Sequence, residues 1–287
     1  MTEVPNKLPN NRYNSVHLED GVIVKCGPAA LLEGEIFYYT ALCRAPAPLR
    51  AYFPTFYGAS TDAETARLRL EYIKGLPAYT LFKTGAMTEA HVDALFACLD
   101  RLHTAKGTTE LSAEAIAAAY AAKLEERFAV VEDYDFVGGA GLQTKIREIA
   151  AALPPPVVAA YIHGDYWLSN IMFLSEAGSD PGGLKALDMR GRIGRTLTTC
   201  GDIYYDYAKL YQSFLGYDAV LYGDSIDASR LAFMQSLFEA QIVRRGLDMA
   251  HVRGLCFVLM ASSFGFMGYD GGRKARMGAW LLGLLGD

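Results

Sequence analysis

The chain has 287 residues, enough for one large domain or two lobes, and 52% are hydrophobic, which supports a substantial core. A formal net charge of −5 argues against a nucleic-acid-binding surface, which needs a basic face, but leaves room for an anionic nucleotide offset by a metal ion and a few local cations. Cys26, Cys43, Cys98, Cys200 and Cys256 are scattered with no Cys-x-x-Cys, so no zinc site is visible, and they read as buried reduced thiols of a cytoplasmic protein.

Residues 1–14 are polar and loop-like, with no charged-then-apolar signal pattern. Residues 16–25 read as a hairpin turning at Asp20-Gly21, with Val22, Ile23 and Val24 leading to Lys25. Residues 29–42 carry Leu32, Ile36, Tyr39 and Leu42 at helical spacing, with Glu33 and Glu35 on different faces. Pro46, Pro48 and Pro54 break the chain. Residues 53–58 and 67–73 then read as the last strands of a small sheet, the second with Arg67, Arg69 and Glu71 alternating with Leu68, Leu70 and Tyr72.

From Thr88 the pattern is helical. Val92, Leu95, Leu99 and Leu102 form a stripe ending at His103, a packed or helix-end histidine. A helix over 113–128 has Ser112 as N-cap, and Lys123, Glu125, Glu126 and Arg127 near its end read as a solvated face. A helix over 142–153 stops at Pro154. Residues 226–245, 251–268 and 273–285 supply further helices. The stretch 255–268 is apolar but broken by Ser262, Ser263 and Gly265, so it reads as a buried helix and not a membrane span.

Between these helical tracts lies a second hairpin. The apolar runs 171–174 and 184–187 flank a turn-rich segment, residues 175–183. Pairing Leu174 with Leu184 sets Asn170 opposite Asp188, with Asp165 in the loop just before. Two carboxylates and an amide then meet at one open end. A hard cation such as Mg²⁺ takes oxygen ligands of this kind, completed by water and substrate phosphate. The remaining carboxylate is free to accept a proton from an attacking hydroxyl.

His163-Gly164-Asp165, then Asn170, then Leu187-Asp188 a strand-turn-strand later, resembles the catalytic loop and metal-binding Asp of the aminoglycoside phosphotransferase and choline kinase group. The resemblance extends through Lys25, Glu35, residues 71–75 and residues 201–210. It implies an α+β, bilobal protein-kinase-like fold: a small β-sheet N-lobe with one main helix (residues 1–74), a hinge near 71–76, and a larger, mostly helical C-lobe (75–287) carrying the catalytic hairpin. It implies Asp165 as base, Asn170 and Asp188 as Mg²⁺ ligands, and ATP or GTP as co-substrate. Lys25 reaches the nucleotide phosphates, steadied by Glu35 in preference to Glu33. Backbone groups at Glu71, Tyr72 and Ile73 take the adenine. His163, Asp202 and Asp206 are structural supports, Asp202 capping a helix from Ile203 and Asp206 bracing the catalytic loop. No Gly-rich phosphate loop is present, and residues 10–15 occupy its place.

The acceptor is expected to be a small hydroxylated molecule, a sugar or an amino alcohol. Arg190, Arg192 and Arg195, on a loop freed by Gly191 and Gly194, tilt the reading toward a polar or anionic acceptor. Arg190 and Arg192, with Tyr269 and Asp270, are the candidate acceptor residues. A choline or ethanolamine kinase, drawing on the tyrosines of residues 204–217, is one alternative. An aminoglycoside kinase, a nucleotide-binding scaffold and a metal hydrolase using His163 and Asp165 are the others.

Overall fold

Asp20 and Gly21 both take positive φ, 49° and 78°, the left-handed pair of a two-residue hairpin turn. They join β1 (Ser15–Glu19) to β2 (Val22–Pro28) in antiparallel register. The computed structural model describes residues 14–174, 183–266 and 271–286. Residues 10–13 of the expected phosphate cover, residues 175–182 of the hairpin loop, and the candidates Tyr269 and Asp270 therefore lie outside the described residues.

β3 (Phe56–Thr61) and β4 (Thr65–Glu71) complete a sheet of order β1-β2-β4-β3. β3 runs three residues later than expected, because the turn sits at Asp62, whose carboxylate accepts from Glu64 N and Thr65 N at 2.9 and 2.7 Å. The expected alternation holds in β4, where Ala66, Leu68 and Leu70 are buried and Arg67 and Arg69 exposed. The helix α1 (Ala29–Leu42) packs on this buried face with Leu32, Tyr38, Tyr39 and Leu42, Tyr39 stacking on Phe56 at 5.4 Å. Burying each such side chain is worth roughly 1.5–3 kcal/mol, so the sheet and α1 stabilise each other.

Beyond the short α2 (Ala47–Arg50) and β5 (Gly75–Pro77) the chain turns helical: α3 (Ala78–Lys83), α4 (Glu89–His103), α5 (Ala113–Phe128) and α6 (Gly139–Ala152). β6 (Val158–Ala159) leads to the hairpin of β7 (Ile171–Leu174) and β8 (Leu184–Ala186). The small strands β9 (Arg192–Ile193) and β10 (Thr196–Leu197) pair with each other, and β11 (Gly201–Asp202) returns to pair with β6. α7 (Ile203–Phe214), α8 (Tyr217–Tyr222), α9 (Ala228–Arg244), α10 (Met249–Ala261) and α11 (Gly271–Gly286) follow. Ser112 caps α5 as expected, accepting from Ala115 N at 3.2 Å.

Three expectations need correction. The chain at 75–77, which reads in sequence as the break after the 67–73 strand, is itself a strand: β5 pairs with β7, making a three-stranded sheet β5-β7-β8 that ties the segment after β4 to the hairpin. Only glycine fits at 75, since a Cβ there would lie 2.1 Å from Phe173 O. Cys43 is exposed, although Cys98, Cys200 and Cys256 are buried. Lys123 does not join a solvated face but turns inward, as described below. Among the described residues no helix is long and apolar enough to cross a membrane.

Candidate active site

The hairpin registers one residue away from expectation. Ile171 faces Ala186 and Phe173 faces Leu184, so Asn170 lies opposite Leu187, whose N donates to Asn170 O at 2.8 Å. Gly183, at φ 101°, takes the place beside Leu174 that Leu184 was expected to hold, and accepts from Leu174 N at 3.0 Å. Asp188 then leaves the strand in the left-handed region at φ 58°, a conformation Asp tolerates better than most side chains. The reversal carries its carboxylate to β2, where Oδ1 accepts from Lys25 Nζ at 2.7 Å.

Lys25 is nearly inaccessible, its side chain 7% exposed, and donates equally closely to Glu35 Oε2 on α1 at 2.7 Å. Glu33 points elsewhere and binds Arg192. Two carboxylates thus share one ammonium, and Asp188, its side chain 46% exposed, opens toward solvent. Burial opposes the charge on Lys25, yet Glu35 and Asp188 outweigh it and raise its pKa. Burial pushes Glu35 up to about 7 against the pull of Lys25, with Asp188 adding to the rise.

On the other side of the hairpin mouth the loop 163–165 is held from beneath by α7. Asp202 caps this helix, accepting from Tyr204 N at 3.1 Å and from Val157 N at 3.0 Å. One turn on, the fully buried Asp206 accepts from His163 N and Gly164 N, both at 2.7 Å, and contacts His103 Nε2 at 3.1 Å. A carboxylate in the first turn also suits the positive end of the helix. His163 is fully buried; burial lowers its pKa in spite of Asp206 and Asp165, and its Nδ1 accepts from Asp165 N at 3.2 Å. The imidazole is thus enclosed within the protein.

Asp165 is held through both oxygens. Oδ1 lies 2.9 Å from Lys209 Nζ, and Oδ2 accepts from Asn170 Nδ2 at 3.1 Å, while the same Asn170 nitrogen donates to Asp165 O at 3.0 Å. Burial works to raise the Asp165 pKa, but Lys209 and then Arg190 outweigh it, and the carboxyl is held below its ordinary value. An ionised carboxylate has about four lone-pair directions, so two contacts leave capacity for an incoming hydroxyl. Asn170 itself rides a 3-10 turn (Leu168–Asn170) pinned to α8 by Ser169 Oγ donating to Asp218 at 2.7 Å.

Sequence reasoning missed Lys209. It lies three residues beyond Asp206, and its spacing of four from Tyr205 puts the two on one face of α7. That spacing was the available signal. Tyr205 receives hydrogen bonds from Arg190 Nη1 and, at 3.4 Å, from Lys123 Nζ on α5. Burial opposes ionisation of the Tyr205 phenol, but Arg190, Lys123 and Lys209 together draw its pKa down. Arg190 is anchored at the catalytic loop, its N donating to His163 O at 3.0 Å and its Cβ standing against Gly164. Arg192 is engaged by Glu33 and Ala30 O on α1. Glu71 accepts from Thr55 N and Oγ1, which turns its side chain from the cleft.

The two halves of the site meet through backbone. A Cβ on Gly34 would fall 2.3 Å from Arg190 O, and one on Gly191 would fall 1.8 Å from Gly34 O. α1 and the 188–191 loop are therefore in direct main-chain contact. Asn170 O accepts from Leu187 N, the residue before Asp188, and a carboxylate and a side-chain amide oxygen are hard donors of the kind Mg²⁺ takes together with phosphate. Among the described residues no three His, Cys, Asp or Glu side chains gather as a metal site, so the hydrolase alternative gains no ligand set. Cavities of about 350 Å³, between α5 and α10, and about 370 Å³, beside α1 and Phe53, do not include Asp165 among their lining residues.

Comparison with known proteins places this arrangement. The family described as "Phosphotransferase enzyme family" matches residues 7–235. Among solved structures, choline kinase LicA from Streptococcus pneumoniae aligns at TM-score 0.60 and 15% identity, over 98% of this chain and 92% of that one. Aminoglycoside phosphotransferase APH(3'')-Id from Streptomyces rimosus aligns at 0.56 and 18%, over 85% and 89%. A thermostable mutant of aminoglycoside phosphotransferase APH(4)-Ia, in ternary complex with AMP-PNP and hygromycin B, aligns at 0.61 and 11%, over 98% and 94%. At such identities these likenesses establish the α+β kinase-like fold, with its N-terminal antiparallel sheet and helical remainder. No curated protein matches the chain.

Proposed function

The chain belongs to the phosphotransferase enzyme family, and from that premise we propose that it transfers the γ-phosphate of ATP to a hydroxyl of a small molecule. The observation that carries this is Asp165, ionised and held between Lys209 and Asn170, at the mouth of the hairpin whose other arm delivers Asp188 to Lys25. The solved relatives bind ADP together with streptomycin, or AMP-PNP together with hygromycin B.

In this reading residues 1–74 form the nucleotide lobe and 75–287 the catalytic and acceptor lobe, with main-chain groups of 71–76 taking the adenine. Lys25, steadied by Glu35, binds the nucleotide phosphates. Asp188 and the Asn170 amide oxygen would hold Mg²⁺, which would supply neutralisation of the phosphate charge. Asp165 orients the acceptor hydroxyl and receives its proton. The acceptor oxygen bonds to the γ-phosphorus, the bond from that phosphorus to the β–γ bridging oxygen breaks, and ADP leaves with that oxygen. His163, Asp202 and Asp206 keep the loop in shape. The free cysteines and the use of ATP fit a cytoplasmic setting.

The test is ADP formation by the purified chain with Mg²⁺ and ATP across neutral, cationic and anionic hydroxylated acceptors. Acceptor-dependent ADP formation that disappears in a folded Asp165→Ala variant is the expected result. A chain that binds MgATP but gives no acceptor-dependent turnover would point instead to a nucleotide-binding scaffold.

A further inference from the structure

Beside Asp165 lies a group of cations larger than its one carboxylate can pair. Lys209 is paired with Asp165, but Arg190 and Lys123 are not paired with any carboxylate among the described residues; both donate to the Tyr205 hydroxyl. The neighbouring acids are already engaged, Asp202 by Val157 N and Tyr204 N, Asp206 by His163 N, Gly164 N and His103. Asp165 attracts Arg190 from farther off, but half-buried cations with no carboxylate in contact are unfavourable unless an anion completes them. One turn before Lys123 on α5, the Tyr120 hydroxyl is buried with no protein partner, its ring 5.4 Å from that of Tyr205. Tyr120, Lys123, Arg190 and Tyr205, with Ile162 and Ile193, line a pocket of about 30 Å³. That is close to the share of one water, enough for the end of an anion and not for a sugar ring.

We infer that the phosphoryl acceptor is a hydroxy acid, whose carboxylate is received by Arg190 and Lys123 in this pocket while its hydroxyl faces Asp165. The inference rests on the phosphotransferase reading above. Arg190 provides the link, since its backbone is bonded to His163 and its side chain leans on Gly164, next to the base. The carboxylate makes and breaks no bond; it fixes the register of the hydroxyl. A planar guanidinium suits a carboxylate, and the Tyr120 hydroxyl supplies a further donor. An ammonium-bearing acceptor would meet two like charges.

The experiment compares matched acceptors that differ in one group: D-glycerate, glycerol, serinol and glycerol 3-phosphate, and D-glucuronate, glucose and glucosamine. MgATP consumption is followed, and binding is measured by calorimetry with and without nucleotide. The carboxylates should be preferred by about ten- to a hundredfold, the scale of one or two charged hydrogen bonds. Arg190→Gln and Lys123→Gln should each raise the KM of the carboxylate by a similar factor, Arg190→Lys by less, with MgATP affinity unchanged. Preference for a neutral, cationic or phosphorylated member, no carboxylate binding at millimolar concentration, or a carboxylate response unaltered in both glutamine variants overturns the inference. If MgATP itself does not bind, the transferase reading fails instead, and calorimetry of the carboxylates without nucleotide still decides this one.

Discussion

The two sides of the hairpin mouth are built with opposite charge balance. On the α1 side one ammonium, Lys25, is shared by two carboxylates, Glu35 and Asp188. On the α7 side Asp165 is paired with Lys209, and Arg190 and Lys123 stand beside it with no ion-pair partner among the described residues, while Asp202 and Asp206 are taken up by backbone amides. The first arrangement is short of positive charge and suits a divalent cation. The second is short of negative charge and suits an anionic group. In the proposed reading one hairpin would serve a metal-bound nucleotide on the first side and an anionic acceptor on the second.

The sharpest way to break this contrast is at its centre. Asp165→Ala should lower kcat by roughly two to four decades, the usual span for a general base, or about 3–5 kcal/mol of barrier. Turnover within a few-fold of wild type in a folded variant would remove Asp165 from the reaction. Lys25→Met leaves Glu35 buried beside Asp188 without its cation, and should cost about 3–5 kcal/mol of stability in urea unfolding at neutral pH. An unchanged unfolding midpoint would mean the pair is not buried as described. Asp188→Ala should weaken Mg²⁺-dependent ATP binding at least about tenfold, the loss seen even for outer-shell metal partners. Calorimetry giving the same affinity with and without Asp188 contradicts its role.

The remaining two predictions are smaller and concern protons. Because Asp165 is held below its ordinary 3.8, its charged form is lost only as pH falls through that lowered value, so the acidic limb of kcat/KM should lie below 3.8. Lys209→Met removes the main charge opposing burial, and the limb should move up in pH. A limb that stays in place assigns the lowering to another group. Asp202 behaves in the reverse sense, burial pushing it up to about 6 against the Val157 and Tyr204 amides. Its raised value means that stability is present at low pH and lost as pH rises from 3.8 through about 6. Both amides bind Oδ1, an atom that asparagine keeps. Asp202→Asn should therefore be on the order of 1 kcal/mol more stable than wild type at mildly alkaline pH, and no more stable in acid. Thermal melts across pH check the crossover.

Local signals explain which parts of this were readable in advance. The Asp20-Gly21 turn, α1 and α5 with its Ser112 cap are written in short-range residue patterns, and the structure has them at the expected residues. The order His163, Asp165, Asn170, Asp188 was readable as a motif. The register was not, because whether Gly183 or Leu184 sits beside Leu174 depends on the geometry of the intervening loop. β5 was hidden because its partner, β7, lies about a hundred residues away and its own sequence shows only turn residues. Lys123 and Lys209 could not be placed at the site for a related reason. A helix pattern gives the face on which a lysine lies, but not which distant loop that face meets.

The glycine contact between α1 and the loop at 191 has a mechanical consequence. With no side chains to act as cushions there, any shift of α1 on nucleotide arrival must be passed directly to the peptide bearing Arg190. A single methyl at residue 34 or 191 would prop the two apart and break that contact.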